Sequence, residues 1–279
     1  MSTLQARRLL DRHINLPTLP SVMQKLSALL EDPDAGARDI GQLVSEDVAL
    51  TAKVLKIANS AYYGLRERCL APQQAASILG MKVLRNVVMQ AAVMKQYDHL
   101  KNGVFDVDGL WRHSILTAHC CQYLGRKCHN SIGLAPDELY ICGLLHDLGQ
   151  VVLLDALGDE YLKVVTLARD GALKLHDAEE QSLGFTHADV GALLAQQWSL
   201  PDSIHRAIQF HHAGSGESEE DPIVLLVRHT NLFAHAVTEH TADPLSHFDA
   251  DLRQFLGVEE SDLAEMASFA EQALASIVL

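Results

Sequence analysis

The residues of this chain best equipped for chemistry are histidines. There are 15 among 279 residues, and they are unevenly placed. His113 follows Trp111 on a helical pattern. His146 and Asp147 are adjacent in Gly143-Leu144-Leu145-His146-Asp147-Leu148-Gly149. His187 opens the run His187-Ala188-Asp189-Val190, and His211 and His212 stand side by side at the end of another helical pattern. A carboxylate inside an apolar run is costly to bury unless a cation or hydrogen bonds offset it. Neighbours on a helix point about 100° apart, yet a metal lying beside the helix can still take a donor from each. Mixed imidazole and carboxylate donors suit iron, manganese, nickel or zinc. Such an ion would lower the pKa of bound water and polarise a phosphate oxygen, which is the chemistry of phosphoester hydrolysis. The pattern predicts that His113, the His146-Asp147 pair, His187 and His211-His212 cluster in space.

The other histidines invite less. His13, His99, His129, His176, His205, His229, His235, His240 and His247 read as ordinary core or surface residues. The five cysteines, Cys69, Cys120, Cys121, Cys128 and Cys142, form no CxxC pair. Cys120, Cys121 and Cys128 near His119 and His129 match no standard zinc spacing, so core packing is the expectation for them. An odd count of thiols in apolar surroundings predicts reduced cysteines and a cytoplasmic location.

The elements that must position the histidines are helices. Hydrophobic residues make up 48%, charged residues 21% and aromatics only 5%, and alanine and leucine dominate, which favours packed helices over sheets. Leu16-Pro17-Thr18-Leu19-Pro20 makes an extended entry, and Ser21 is placed to cap the helix that follows. A second helix is expected from near Ala37, Asp47 is placed to cap a third, Asn59-Ser60-Ala61-Tyr62-Tyr63-Gly64 breaks it, Pro72 opens another, and Gly80 punctuates that one before a further apolar helix from Val83 to Met94. Asp98 to Asp108 reads as a junction. Helices are then expected over Leu110–Cys128, Pro136–Leu154, Asp159–Ala168, Ala188–Trp198, Pro201–His211 and Pro222–Val237, with a flexible acidic loop from Ala213 to Asp221. One or two further helices complete the last thirty residues. The formal net charge of -14 excludes a general nucleic-acid binder. Neither a signal peptide nor an apolar run long enough to span a bilayer is expected.

The His, His-Asp, His, His-His order resembles the HD superfamily of metal-dependent phosphohydrolases, and in particular the HD-GYP ligand set. That resemblance implies His113, His146, Asp147, His187, His211 and His212 as ligands of one or two divalent ions, with Asp147 as the bridging, catalytically central carboxylate. Two departures stand out. Asn231 occupies the position expected for the final ligand aspartate, and a neutral amide is a poorer ligand for a hard cation. After His212 the chain reads Ala213-Gly214-Ser215-Gly216, without Gly-Tyr-Pro.

The N-terminal half, from Leu16-Pro17-Thr18-Leu19-Pro20 through Val44–Gly64 to Ala76-Ser77-Ile78-Leu79-Gly80, resembles the HDOD (HD-related output domain) family. The resemblance runs from about Leu16 to about Val237. It implies an all-α fold with an N-terminal helical bundle over 1–100, an HD-like bundle over 101–240 and a C-terminal helical extension over 241–279. It also implies a bacterial signal-transduction role exerted through a protein partner. The alternative is a metal-dependent phosphohydrolase acting on a nucleotide or cyclic dinucleotide.

Overall fold

The computed structural model describes residues 19–32, 34–101, 105–128, 132–212, 221–239, 243–277 and 279. The expectations placed on Leu16 to Thr18, His13, His129, His240 and the Ala213–Glu220 loop fall outside them. Among the described residues every regular element is helical, with no strand. The chain divides into two units: Leu100–Ser268, and Leu19–His99 together with Phe269–Leu279.

In the unit that begins at Leu19, five helices precede His99: α1 (Ser21–Glu31), α2 (Ala37–Ser45), α3 (Val48–Ala58), α4 (Pro72–Leu79) and α5 (Met81–Gln96). Leu26, Ile40, Val44, Leu50, Val54, Leu84 and Val87 are buried in its core. Ser21 does not cap α1 as expected. Pro20 holds the cap position, and its carbonyl accepts from the Met23 and Gln24 amides at 2.8 and 3.3 Å. Asp47 does cap α3, accepting from the Leu50 amide at 3.0 Å. Pro72 begins α4, and Gly80, at φ 83°, separates α4 from α5. The Asn59–Gly64 block has a concrete task. The Asn59 amide donates to the carbonyls of Leu55 and Cys69 and accepts from the Cys69 amide. One side chain thus closes α3 and pins the far end of the loop that follows.

The second unit carries α6 (Val107–Lys127), α7 (Pro136–Leu145), α8 (Leu148–Leu157), α9 (Asp159–Asp170), α10 (Leu175–Leu183), α11 (His187–Gln197), α12 (Asp202–Phe210), α13 (Pro222–Thr238) and α14 (Ala250–Leu256). A last helix, α15 (Glu260–Ser276), contributes its residues through Ser268 to this unit and the rest to the other. Three features depart from the sequence expectations. The helix expected over Pro136–Leu154 is broken at His146-Asp147, where Asp147 leaves helical geometry at φ -100°, ψ 8°. Helix α10 was not expected, because its sequence is mostly polar and only Ala178 and Glu179 are buried. Finally, the stretch Pro136–Leu157 is long and apolar enough to cross a membrane by composition alone, but 89% of its most apolar window is buried in the core.

The two glycines flanking the His-Asp pair explain how that break is held. A Cβ at Gly143 would sit 2.7 Å from the Ala118 backbone of α6, and one at Gly149 would sit 1.9 Å from the His187 carbonyl oxygen. Only glycine permits these approaches. They press α7 against α6, and α8 against the start of α11, on either side of Asp147.

Candidate metal centre

Asp147 is 2% exposed, and four imidazoles surround its carboxylate. On one side, Oδ1 lies 3.1 Å from His187 Nε2 and 3.3 Å from His211 Nε2. On the other, Oδ2 lies 3.3 Å from His146 Nε2 and 3.6 Å from His113 Nε2. His212 joins the first side through His187, with the two Nε2 atoms 3.0 Å apart. Asp147 and His113, His146, His187, His211 and His212 are thus brought together.

Each of three rings is anchored through its other nitrogen. His146 Nδ1 is 2.7 Å from the Gly143 carbonyl, and His211 Nδ1 is 2.6 Å from the Ile208 carbonyl. Both residues follow the last residue of a helix, where carbonyls three positions back have lost their intrahelical partners. His187 Nδ1 is 2.7 Å from Glu179 Oε2. His187 is the first residue of α11, fixed by a reciprocal cap. There Thr186 Oγ1 accepts from the Asp189 amide, and Asp189 Oδ2 accepts from the Thr186 amide at 2.9 Å. With Nδ1 of all three rings facing an acceptor, Nε2 is the atom each ring turns toward Asp147.

Burial opposes the charge on Asp147, but the His146, His187 and His211 imidazoles outweigh it and hold the carboxyl well below its usual range. Burial and the neighbouring His146 and His187 bring His211 down to about 4 against the pull of Asp147. His113 and His212 are likewise pushed well down, chiefly by burial. These three rings are therefore neutral near pH 7 and carry free lone pairs. His187 differs: burial lowers it, yet Glu179 and Asp147 together raise it to about 10.

Two donor groups of metal-binding size share Asp147. One is Asp147, His187, His211 and His212; the other is His113, Asp147 and His235. Buried Asp147 Oδ1 and His211 Nε2 make no aligned hydrogen bond despite their proximity. Unsatisfied buried donors and acceptors facing one point are what a coordinated cation would resolve. The residues present therefore fit a divalent ion.

His235, set aside from sequence, belongs here. Its ring stacks on His113 at 4.0 Å and 28°. It lies one turn beyond Asn231 on α13, and that spacing was the available signal, since residues four apart share a helix face. Asn231 is 1% exposed and its side chain faces His113, with Oδ1 making no well-aligned hydrogen bond. His176 was also read as ordinary, but it stacks on His212 at 4.2 Å and 21°. The cysteines follow expectation. All five are buried and unpaired in disulfides, and burial pushes the Cys121 thiol up to about 12 and Cys128 to about 11. Thiols so far from ionising are poor ligands.

A helical unit that centres four imidazoles on one buried aspartate, at a break between two helices, defines an HD-type domain. The HDOD domain family model matches residues 16–214, and the chain belongs to that family. A relative in Treponema pallidum (strain Nichols), itself uncharacterised, is 31% identical over 232 residues, which is 83% of this chain but 44% of that protein. The chain thus spans less than half the length of that relative. An HDOD domain protein of unknown function from Geobacter sulfurreducens superposes with a TM-score of 0.79 at 26% identity, covering 98% of this chain and 96% of that one. A protein of Shewanella amazonensis SB2B, provisionally named a phosphohydrolase, superposes with a TM-score of 0.76 at 23% identity, covering 97% and 96%.

Proposed function

We propose that this protein is a bacterial signal-transduction protein whose HD-type site holds one or two divalent transition metals. The observation that carries the reading is the sharing of Asp147 by two donor groups. His187, His211 and His212 would hold one ion with Asp147, and His113 and His235 a second, with His146 turned toward the same carboxylate. The donors are mostly imidazole nitrogens, which favours iron, nickel or zinc, with manganese next, over magnesium or calcium. The HDOD frame supports action through a protein partner, and the buried, reduced cysteines support a cytoplasmic setting.

A second reading is hydrolysis of a phosphoester such as a nucleotide or cyclic dinucleotide. It is favoured by the same shared carboxylate and by the name of the Shewanella amazonensis neighbour. A metal bound here would supply an activated water and a polarising charge for phosphate. The chain's own contribution is to hold neutral imidazoles and one carboxylate in fixed orientation and to keep most of the cluster away from bulk water.

The test is elemental analysis of protein purified without a metal-affinity tag, alongside His146→Ala. Near-stoichiometric iron, manganese, nickel or zinc that falls in the variant supports the metal reading. No metal in the wild type, even after anaerobic incubation with excess cation, overturns it. Phosphodiesterase and phosphatase assays on the loaded protein then separate the two readings: turnover lost in Asp147→Ala selects the enzyme.

A further inference from the structure

Glu179 is fully buried, 0% exposed, on a helix that is otherwise mostly polar and solvated. A buried carboxylate requires strong compensation, and it has three partners. Tyr161 Oη donates to Oε1 at 2.6 Å. The backbone amide of His187 donates to Oε2 at 2.8 Å, and His187 Nδ1 lies 2.7 Å from the same oxygen. Tyr161 is also 0% exposed, and His187 is 1% exposed.

We infer that Tyr161 and Glu179 are positioning residues that fix the ring of His187 with its proton on Nδ1 and its Nε2 turned to the metal centre. The inference rests on the metal-holding reading above. Both Glu179 oxygens already accept, Oε1 from the Tyr161 hydroxyl and Oε2 from the His187 amide, so the proton between Glu179 and His187 is assigned to Nδ1. Tyr161, donating to the other oxygen, keeps the carboxylate from rotating.

The position of His187 in its helix explains why a side chain is needed. His146 and His211 stand at helix C-termini and use free carbonyls for the same purpose. A helix N-terminus offers unpaired N–H groups and no unpaired carbonyl, so the first residue of α11 has no backbone acceptor to orient its ring. Glu179 supplies one and accepts from the His187 amide as well, and its negative charge suits the positive end of the helix. The unexpected helix α10 is thus the support that delivers this carboxylate.

The test uses Glu179→Gln and Tyr161→Phe in the full chain. Nitrogen-15 NMR of labelled histidine in the metal-free protein reads the proton on His187 Nδ1. Zinc affinity is measured by competition with a chromophoric chelator. In the wild type the Nδ1 proton is expected to exchange slowly. In Glu179→Gln its exchange accelerates, and zinc affinity falls about 10–100-fold, the usual cost of losing an orienting partner. Tyr161→Phe moves both readouts the same way by less. An unchanged Nδ1 proton together with unchanged zinc affinity in Glu179→Gln overturns the inference. If Glu179→Gln does not fold, Tyr161→Phe, which removes one oxygen, decides by the same two readouts. A wild type that binds no zinc counts against the metal reading, and the metal-free NMR signal then decides the Tyr161–Glu179–His187 relay by itself.

Discussion

The two sides of Asp147 are built by different means. His187, His211 and His212 stand at helix ends, and the first two are anchored through Nδ1, His187 by Glu179 and His211 by a backbone carbonyl. His113 and His235 sit within α6 and near the end of α13, held by stacking on each other. The first side is buried apart from the half-buried His212, whereas His235 is 48% exposed. A ring anchored through one nitrogen has lost its rotational freedom before a ligand arrives, so binding costs less. A stacked, solvent-facing ring still has that entropy to lose. The first side is therefore expected to bind metal tightly, and the second side weakly.

Breaking the carboxylate should erase the distinction. Asp147→Ala removes the one donor common to both sides, so neither equivalent of metal should survive gel filtration, as read by elemental analysis. A retained equivalent would mean that the sides are independent. Next in size is His211→Ala, which should remove the tight equivalent while leaving a weak one detectable by titration. Gly149→Ala attacks the framework. A Cβ 1.9 Å from the His187 carbonyl forces α8 and α11 apart, so unfolding free energy should drop by about 1–3 kcal/mol or more, as in other overpacked cores. Chemical denaturation measures it, and wild-type stability in this variant would show that the helices need not approach so closely.

Much of the first side was legible in the sequence. His146-Asp147 in an apolar run, His187 at the start of a helical run and the paired His211-His212 all stood out by residue type and spacing. The all-helical fold was legible from composition and periodicity. The break at Asp147 was not, because an unbroken apolar pattern reads as one helix. Only the pressure of Gly143 and Gly149 against neighbouring backbones shows why the chain turns there. Glu179 and His235 were missed for separate reasons. Glu179 is one of only two buried residues on a mostly polar helix, and its partner His187 lies eight residues on across a turn. His235 is half-exposed, and nothing local in the sequence distinguishes it from a surface histidine except its spacing from Asn231. Ser21 shows the limit of capping rules, since a proline one residue earlier had already claimed the cap.

The pH dependence sharpens the comparison further. His187 has its folded pKa raised to about 10, principally by Glu179 and Asp147 against burial. In the metal-free protein it therefore contributes stability that is fully present below about pH 6.5, its unfolded value, and is lost as pH rises through about 10. Metal must displace the His187 Nε2 proton, so affinity on this side should rise by up to about tenfold per pH unit between pH 6.5 and 9. His113 is pushed well down by burial and His235 is lowered too, so the second side should load with little proton release. Competition titrations at three pH values test this, and equal slopes for the two equivalents would break the distinction.

The smallest effects should come from α13. His235→Ala is expected to weaken only the second equivalent, because its ring stacks on His113 and it belongs to the donor group of His113 and Asp147 alone. Asn231→Asp should do the opposite. The Asn231 amide is buried and faces His113, so replacing its nitrogen with oxygen adds a negative charge beside His113 without adding volume. With a cation present that charge is compensated, and the second equivalent should tighten. Without one, the buried carboxylate faces only the His113 ring, which burial holds neutral, and the metal-free protein should lose stability. The two readouts move in opposite directions only if a metal occupies the His113 side. Thermal unfolding of Asn231→Asp with and without added zinc is therefore decisive: destabilisation rescued by zinc places a cation there, and destabilisation that zinc leaves untouched confines metal binding to the His187 side.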